Sequence, residues 1–141
     1  MGKRRAAREL ALTVLYELEY NEVGLETALR DHPLIAEHPK DVQRFCRKLL
    51  EGIAAERDAL DDEIVRFSKN WRIERMAAID RNILRMAIYE ILHEPSIPPR
   101  VSINEAIEIS KRYGSGDSSA FINGILDKIS AAHPKADGKP K

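Results

Sequence analysis

A chain of 141 residues is long enough for one domain with a substantial core and too short for two large ones. Its charged residues, 23 basic and 23 acidic, cancel, and 43% of the chain is hydrophobic, so the composition is that of an ordinary globular protein whose net charge selects no partner. No run approaches the roughly 18 apolar residues of a membrane span, and the basic N-terminus lacks the apolar stretch of a signal peptide, so the expected location is the cytoplasm.

Apolar positions recur at helical spacing almost everywhere and no segment sustains the alternation of a half-buried strand, which predicts an all-α fold of two small helical bundles sharing one core. From about Arg5 to Tyr20, Ala7, Ala11, Val14, Leu15 and Leu18 form one face, widened by Leu10. Leu25 and Leu29 predict a short second helix, ended by the loop DHPLIAEHPK. Val42, Phe45, Cys46, Leu49, Leu50 and Ile53 then trace the cleanest amphipathic stripe in the chain, starting near Asp41. Leu60, Ile64 and Phe67 continue helically after a kink or a break, and Trp71 in SKNWRIER is read as a packing residue.

Between Met76 and Leu92 apolar residues occupy more than one face, which predicts a central, largely surrounded helix. After the proline-marked connection HEPSIPPR, Ser102 with Glu105 reads as a capping box for the next helix. In YGSGDSSAFINGILDKI, Phe121, Ile122, Ile125, Leu126 and Ile129 share one helical face, so Asn123-Gly124 is not a hairpin turn. Gly114 is read as a helix stop and Asp117 as the next N-cap. Gly124 is a helix-interior glycine, which costs about 1 kcal/mol relative to alanine and predicts a neighbouring helix crossing closely there. The expected organisation is one all-α domain over residues 1–133, with subdomains of about 1–70 and 71–133, and a disordered polar tail over 134–141.

Enzymatic signals fail on context. Gly116-Asp-Ser118 has no preceding strand and no base downstream except His133, and Gly114-Ser-Gly116 lacks the third glycine or the Gly-Lys-Ser ending of a phosphate loop. Neither a catalytic residue nor a cofactor is expected. Cys46, the single cysteine, excludes an internal disulfide and a cysteine-rich zinc site; on an apolar stripe it is read as a buried, inert thiol. The histidines, His32, His38, His93 and His133, have no ligand spacing, so no metal is expected; His32-Pro33, His38-Pro39 and His133-Pro134 read as loop dipeptides.

Charge placement says more than its sum. Lys3, Arg4, Arg5 and Arg8 carry four cations without an acid, on an arm and one helical turn suited to a phosphate backbone. Tyr16, two turns on, offers a stacking face for an unpaired base. The plain alternative is a solubilising terminus with Tyr16 in the core. An acidic run, Glu17, Glu19, Glu22 and Glu26, would confine nucleic acid to the basic end.

Two segments, KRRAARELALTVLY (Lys3 to Tyr16) and VSINEAIEISKRYGSGDSSAFINGILDKI (Val101 to Ile129), resemble the NusB family of bacterial transcription antitermination factors, and AAIDRNILRMAIYEI is similar to that family's central helix. The resemblance implies an all-α fold of about seven helices and no catalysis. It also implies binding of the single-stranded boxA element of ribosomal RNA leader transcripts together with NusE, a small-subunit ribosomal protein, within the RNA polymerase elongation complex. Carried over to this sequence, Lys3, Arg4, Arg5, Arg8 and Tyr16 would meet RNA, with Arg85 a further member, while Asp80, Asp117 and Phe121 would face NusE.

Thr13 stands where the family often has glutamine, and Asp80 where some relatives have glutamate. Some relatives are homodimers that hide the arginine-rich face. Domains similar to NusB also occur fused to ribosomal RNA cytosine methyltransferases, which leaves an interaction module without an RNA role of its own as the alternative function.

Overall fold

The computed structural model describes residues 2–20, 24–69 and 72–135. Eight α-helices and no strand lie among them: α1 (Gly2–Tyr20), α2 (Leu25–Asp31), α3 (Pro33–Ala36), α4 (Lys40–Ala55), α5 (Arg57–Phe67), α6 (Ala78–His93), α7 (Pro99–Tyr113) and α8 (Ser118–Ala132). A 3₁₀ turn, Ile73–Arg75, precedes α6. The helix beyond the expected seven is the four-residue α3, inside a stretch read as loop. It forms because Pro33 supplies the fixed φ of a first helical position and His32 caps it, Nδ1 accepting from the Leu34 N–H at 3.1 Å. The expected role of Trp71 and the tail beyond Lys135 lie outside the described residues.

Contacts divide the chain into two compact units, Met1–Ala55 and Glu56–Lys141. The division falls earlier than the expected boundary near residue 70, because α5 packs with α6 and α8. In the first unit α1 packs on α4: Ala7, Leu10, Ala11 and Val14 are buried from one helix, Val42, Cys46, Leu49, Leu50 and Ile53 from the other. Burial of Cys46 pushes its thiol up to about 12, so it holds almost no nucleophilic thiolate near neutral pH.

In the second unit α6 is the central helix, with α5, α7 and α8 packed around it. Its run from Asn82 to Ile88 is buried whole, polar members included. The Arg81 guanidinium holds the 3₁₀ turn against it, Nη1 donating to the Ile73 and Met76 carbonyls at 3.1 and 2.9 Å. The capping-box expectation at Ser102 is corrected. Pro98 and Pro99 start α7, so Ser102 lies inside the helix, buried, and its hydroxyl donates to Glu90 Oε1 at 2.7 Å. The tail expectation also changes at its start: Lys135 Nζ donates to the Glu90 and Glu94 carbonyls at 3.0 and 2.7 Å, supplying a cation to the C-terminal end of α6.

Candidate nucleic-acid interface

The cations at the start of the chain are not on an arm. Helix α1 begins at Gly2, so Lys3, Arg4, Arg5 and Arg8 all project from one helix whose first turn carries no acid. Along α4, Asp41, Arg44, Phe45 and Lys48 recur at i, i+3, i+4 and i+7, which puts them on one side of that helix. Where α1 and α4 meet, Lys3, Arg4, Asp41, Arg44, Phe45 and Lys48 line a surface depression of about 440 Å³. Phe45 forms its apolar floor. The Arg4 guanidinium carbon stands 4.5 Å from the ring centroid and that of Arg8 5.4 Å, within cation–π range.

The side chains differ in what they can offer. Lys3, Arg4, Arg44 and Lys48 are exposed, whereas Arg5 is half-buried and Arg8 is only 4% exposed, set against the aromatic floor of the basin. Arg8 is therefore placed to position Phe45 rather than to reach into solvent. Tyr16 is 40% exposed and pairs with Tyr20, their ring centroids 4.9 Å apart, which removes the reading of Tyr16 as a core residue. Twelve residues of helix put Tyr16 about 18 Å along α1 from Arg4. The Thr13 hydroxyl donates to the Glu9 carbonyl at 3.1 Å, folded back on its own helix. Of the acidic run, Glu17 is tied to His32 at 2.7 Å beside an apolar cleft lined by Val14, Leu18 and Ala28, while Glu22 lies outside the described residues.

Arg85 has a different task from the one expected of it. It is 3% exposed in the second unit, and its guanidinium grips Asp61 with both ends of its fork, Nε to Oδ1 at 2.7 Å and Nη2 to Oδ2 at 3.1 Å. A third bond goes to Asn82 Oδ1 at 3.1 Å. Arg85 fastens α6 to α5 and is not presented to a ligand.

The three residues expected to face a protein partner do come together, where the first turns of α6 and α8 meet. Ser118 is the knot: its hydroxyl accepts from the Ser115 N–H at 2.9 Å and donates to Asp80 Oδ1 at 2.6 Å. Asp117 occupies the N-cap position of α8, but its side chain makes no capping bond; it is exposed, with Phe121 half-buried one turn further on. Gly114 ends α7 as expected, in extended backbone rather than a left-handed turn. Its reason is space: a Cβ there would stand 2.5 Å from Ser118 Oγ and 2.9 Å from the Ser110 carbonyl oxygen. The expectation at Gly124 is overturned: among the described residues, nothing outside its own turn of α8 lies within 4 Å of where its Cβ would be, so no described helix crosses closely there.

The family model described as NusB matches residues 5–131, nearly the whole of both units. The chain belongs to the NusB family. A transcription antitermination protein NusB from Myxococcus xanthus is 46% identical over 136 residues, covering 94% of this chain and 97% of the relative. One from Trichlorobacter lovleyi is 47% identical over 131 residues, covering 93% and 92%. Among solved structures, T. maritima NusB superposes with a TM-score of 0.83 at 38% identity, covering 92% of each chain. A crystal structure of antitermination factors NusB and NusE in complex with dsRNA gives 0.78 at 23% identity, covering 94% and 98%; that likeness speaks for the fold.

Within this NusB-family chain, the cations of α1 stand out in the sequence as a cluster without an acid, whereas those of α4 do not. Arg44 and Lys48 sit four residues apart on the polar side of the apolar α4 stripe, and Phe45, a member of that stripe by spacing, is only half-buried. The signal was present as an i, i+4 basic pair, but its meaning depends on α4 lying against the basic end of α1, a contact between residues about 40 apart that no local pattern encodes.

Proposed function

We propose that this chain is a transcription antitermination factor that binds single-stranded, boxA-type RNA of ribosomal RNA leader transcripts through the α1–α4 basin. In this reading a NusE-type protein meets the corner formed by Asp80, Asp117 and Phe121, and the complex joins the elongating RNA polymerase in the cytoplasm. The role is one of binding, without a catalytic step or a cofactor. The observation that carries it is the basin itself: four exposed cations, Lys3, Arg4, Arg44 and Lys48, ring an aromatic floor. That pairs charge for a phosphate backbone with a ring on which an unpaired base can stack. Tyr16 and Tyr20 form a separate aromatic pair further along α1, a second stacking surface outside the basin. The antitermination proteins this chain resembles over more than nine-tenths of its length support the same reading.

The test is a titration of fluorescently labelled boxA-type RNA with the full chain and with an Arg4→Ala/Arg44→Ala/Lys48→Ala variant across a salt series. The variant should bind at least about tenfold more weakly, and its slope of log affinity against log salt should be shallower by about 2, at roughly 0.7 per single-strand contact. Unchanged affinity in a folded variant would move RNA away from the basin. Repeating the titration with the NusE-type partner separates the alternative, since an interaction module without an RNA role binds the partner and adds nothing to RNA affinity.

A further inference from the structure

One side chain in the α1–α4 basin has the opposite sign from its neighbours. Asp41 stands among Lys3, Arg4, Arg44 and Lys48, and Lys3 Nζ lies 2.8 Å from its Oδ2 while three quarters of the lysine side chain remains exposed, at 76%. We infer that Asp41 is an internal competitor of RNA phosphate for Lys3, an acid that limits how tightly the basin holds an RNA backbone irrespective of its sequence. The inference rests on the basin being the RNA side and adds to it a residue that works against binding.

Two local duties of Asp41 do not need Lys3. Its Oδ1 accepts the Val42 N–H at 2.9 Å, and a carboxylate in the first turn of α4 is favourably placed on the helix dipole. Asparagine keeps that acceptor and removes the charge. What the carboxylate adds is the pair with Lys3 and a negative potential among the cations that an incoming phosphate would meet. Sequence-independent binding is almost entirely phosphate electrostatics, so an acid in the basin weakens that part of the affinity directly. An exposed ion pair is weak and exchangeable, so it tempers binding without blocking it.

Pairing holds the Asp41 carboxyl below the usual carboxylate range and the Lys3 ammonium above its own. The contribution of Asp41 is thus lost only as pH falls through its lowered value, and that of Lys3 only as pH rises through its raised one. Both charges persist across the neutral range, so salt, and not a change of pH near neutrality, relieves the competition.

The experiment is a two-residue cycle with the full chain: parent, Asp41→Asn, Lys3→Gln and the double variant, each titrated with labelled oligo(U) and with boxA-type RNA across a salt series, with folding checked by circular dichroism. Asp41→Asn should bind oligo(U) about three- to fivefold more tightly, the range a surface charge pair can supply, with a salt slope steeper by about 0.7. In the Lys3→Gln background most of that gain should vanish. No gain, or a loss of affinity, overturns the inference and makes Asp41 a helix-start residue or an RNA contact; a gain of full size without Lys3 overturns the assignment of Lys3 as its target. Failure of the underlying reading is separately visible: the Arg4→Ala/Arg44→Ala/Lys48→Ala variant would then retain RNA binding.

Discussion

Arg4 and Arg85 are the same residue on two helices and end in opposite circumstances. Arg4, in the first turn of α1, stays exposed and lies over the Phe45 ring, a contact that a base or a phosphate could replace. Arg85, in the middle of α6, is enclosed, and its fork is committed to Asp61 and Asn82. The contrast extends to the two units. In the second, polar side chains close networks within the packing: Arg85 with Asp61, Ser102 with Glu90, Ser118 with Asp80. In the first, the cations of the basin are held by exchangeable surface contacts, Lys3 on Asp41 and Arg4 on Phe45. Enclosed polar groups gain from a fixed partner because an unpaired one is costly, whereas charges at the surface keep their freedom to exchange partners.

The sharpest way to break that comparison is Arg85→Ala. Removing one side of a largely buried ion pair should lower stability by about 3 kcal/mol, at the lower end of the usual range because Asp61 is still a quarter exposed at 25%. Urea unfolding reads the loss, and RNA affinity of the folded variant should be unchanged. A variant with the parent's urea midpoint but weakened RNA binding would return Arg85 to the interface and erase the contrast.

Gly114→Ala tests whether the Ser118 network is as tightly set as its geometry indicates. The added methyl meets the Ser118 side chain at 2.5 and 2.7 Å and the Ser110 carbonyl at 2.9 Å, so α7 and α8 must shift apart or Ser118 must leave Asp80. Overpacking of this kind costs about 2 kcal/mol. A midpoint equal to the parent's would mean that the turn between α7 and α8 is looser than these distances.

Helical periodicity made most of the architecture legible: the stripe of α4, the enclosed face of α6 and the two helices flanking Gly114 all follow from spacing. What remained out of reach depended on partners distant in the chain. The sequence around Arg85 does not say that Asp61, 24 residues earlier, waits beside it, so a buried arginine and an RNA-binding one look alike. Ser102 with Glu105 has the form of a capping box, but Pro98 and Pro99 set the helix start earlier and free Ser102 for Glu90. Half of the candidate basin was invisible for the same reason, since Arg44, Phe45 and Lys48 acquire their meaning only from α1.

Gly124 carries the smallest expected effect and the most direct reversal. A glycine inside a helix is normally excused by a close neighbour, and here the described residues outside its own turn supply none within 4 Å. Alanine should therefore stabilise the chain by up to about 1 kcal/mol, through helix propensity alone, raising the urea midpoint without changing the slope. Asp117, Phe121, Gly124 and Lys128 follow i, i+4, i+7 and i+11, so the glycine shares its side of α8 with two of the residues proposed to meet a protein. If that reading holds, the methyl that helps the free chain stands in the partner's way, and Gly124→Ala should unfold later yet bind a NusE-type protein less tightly. Greater stability with undiminished partner affinity would keep the correction at Gly124 and move the partner off that face of α8.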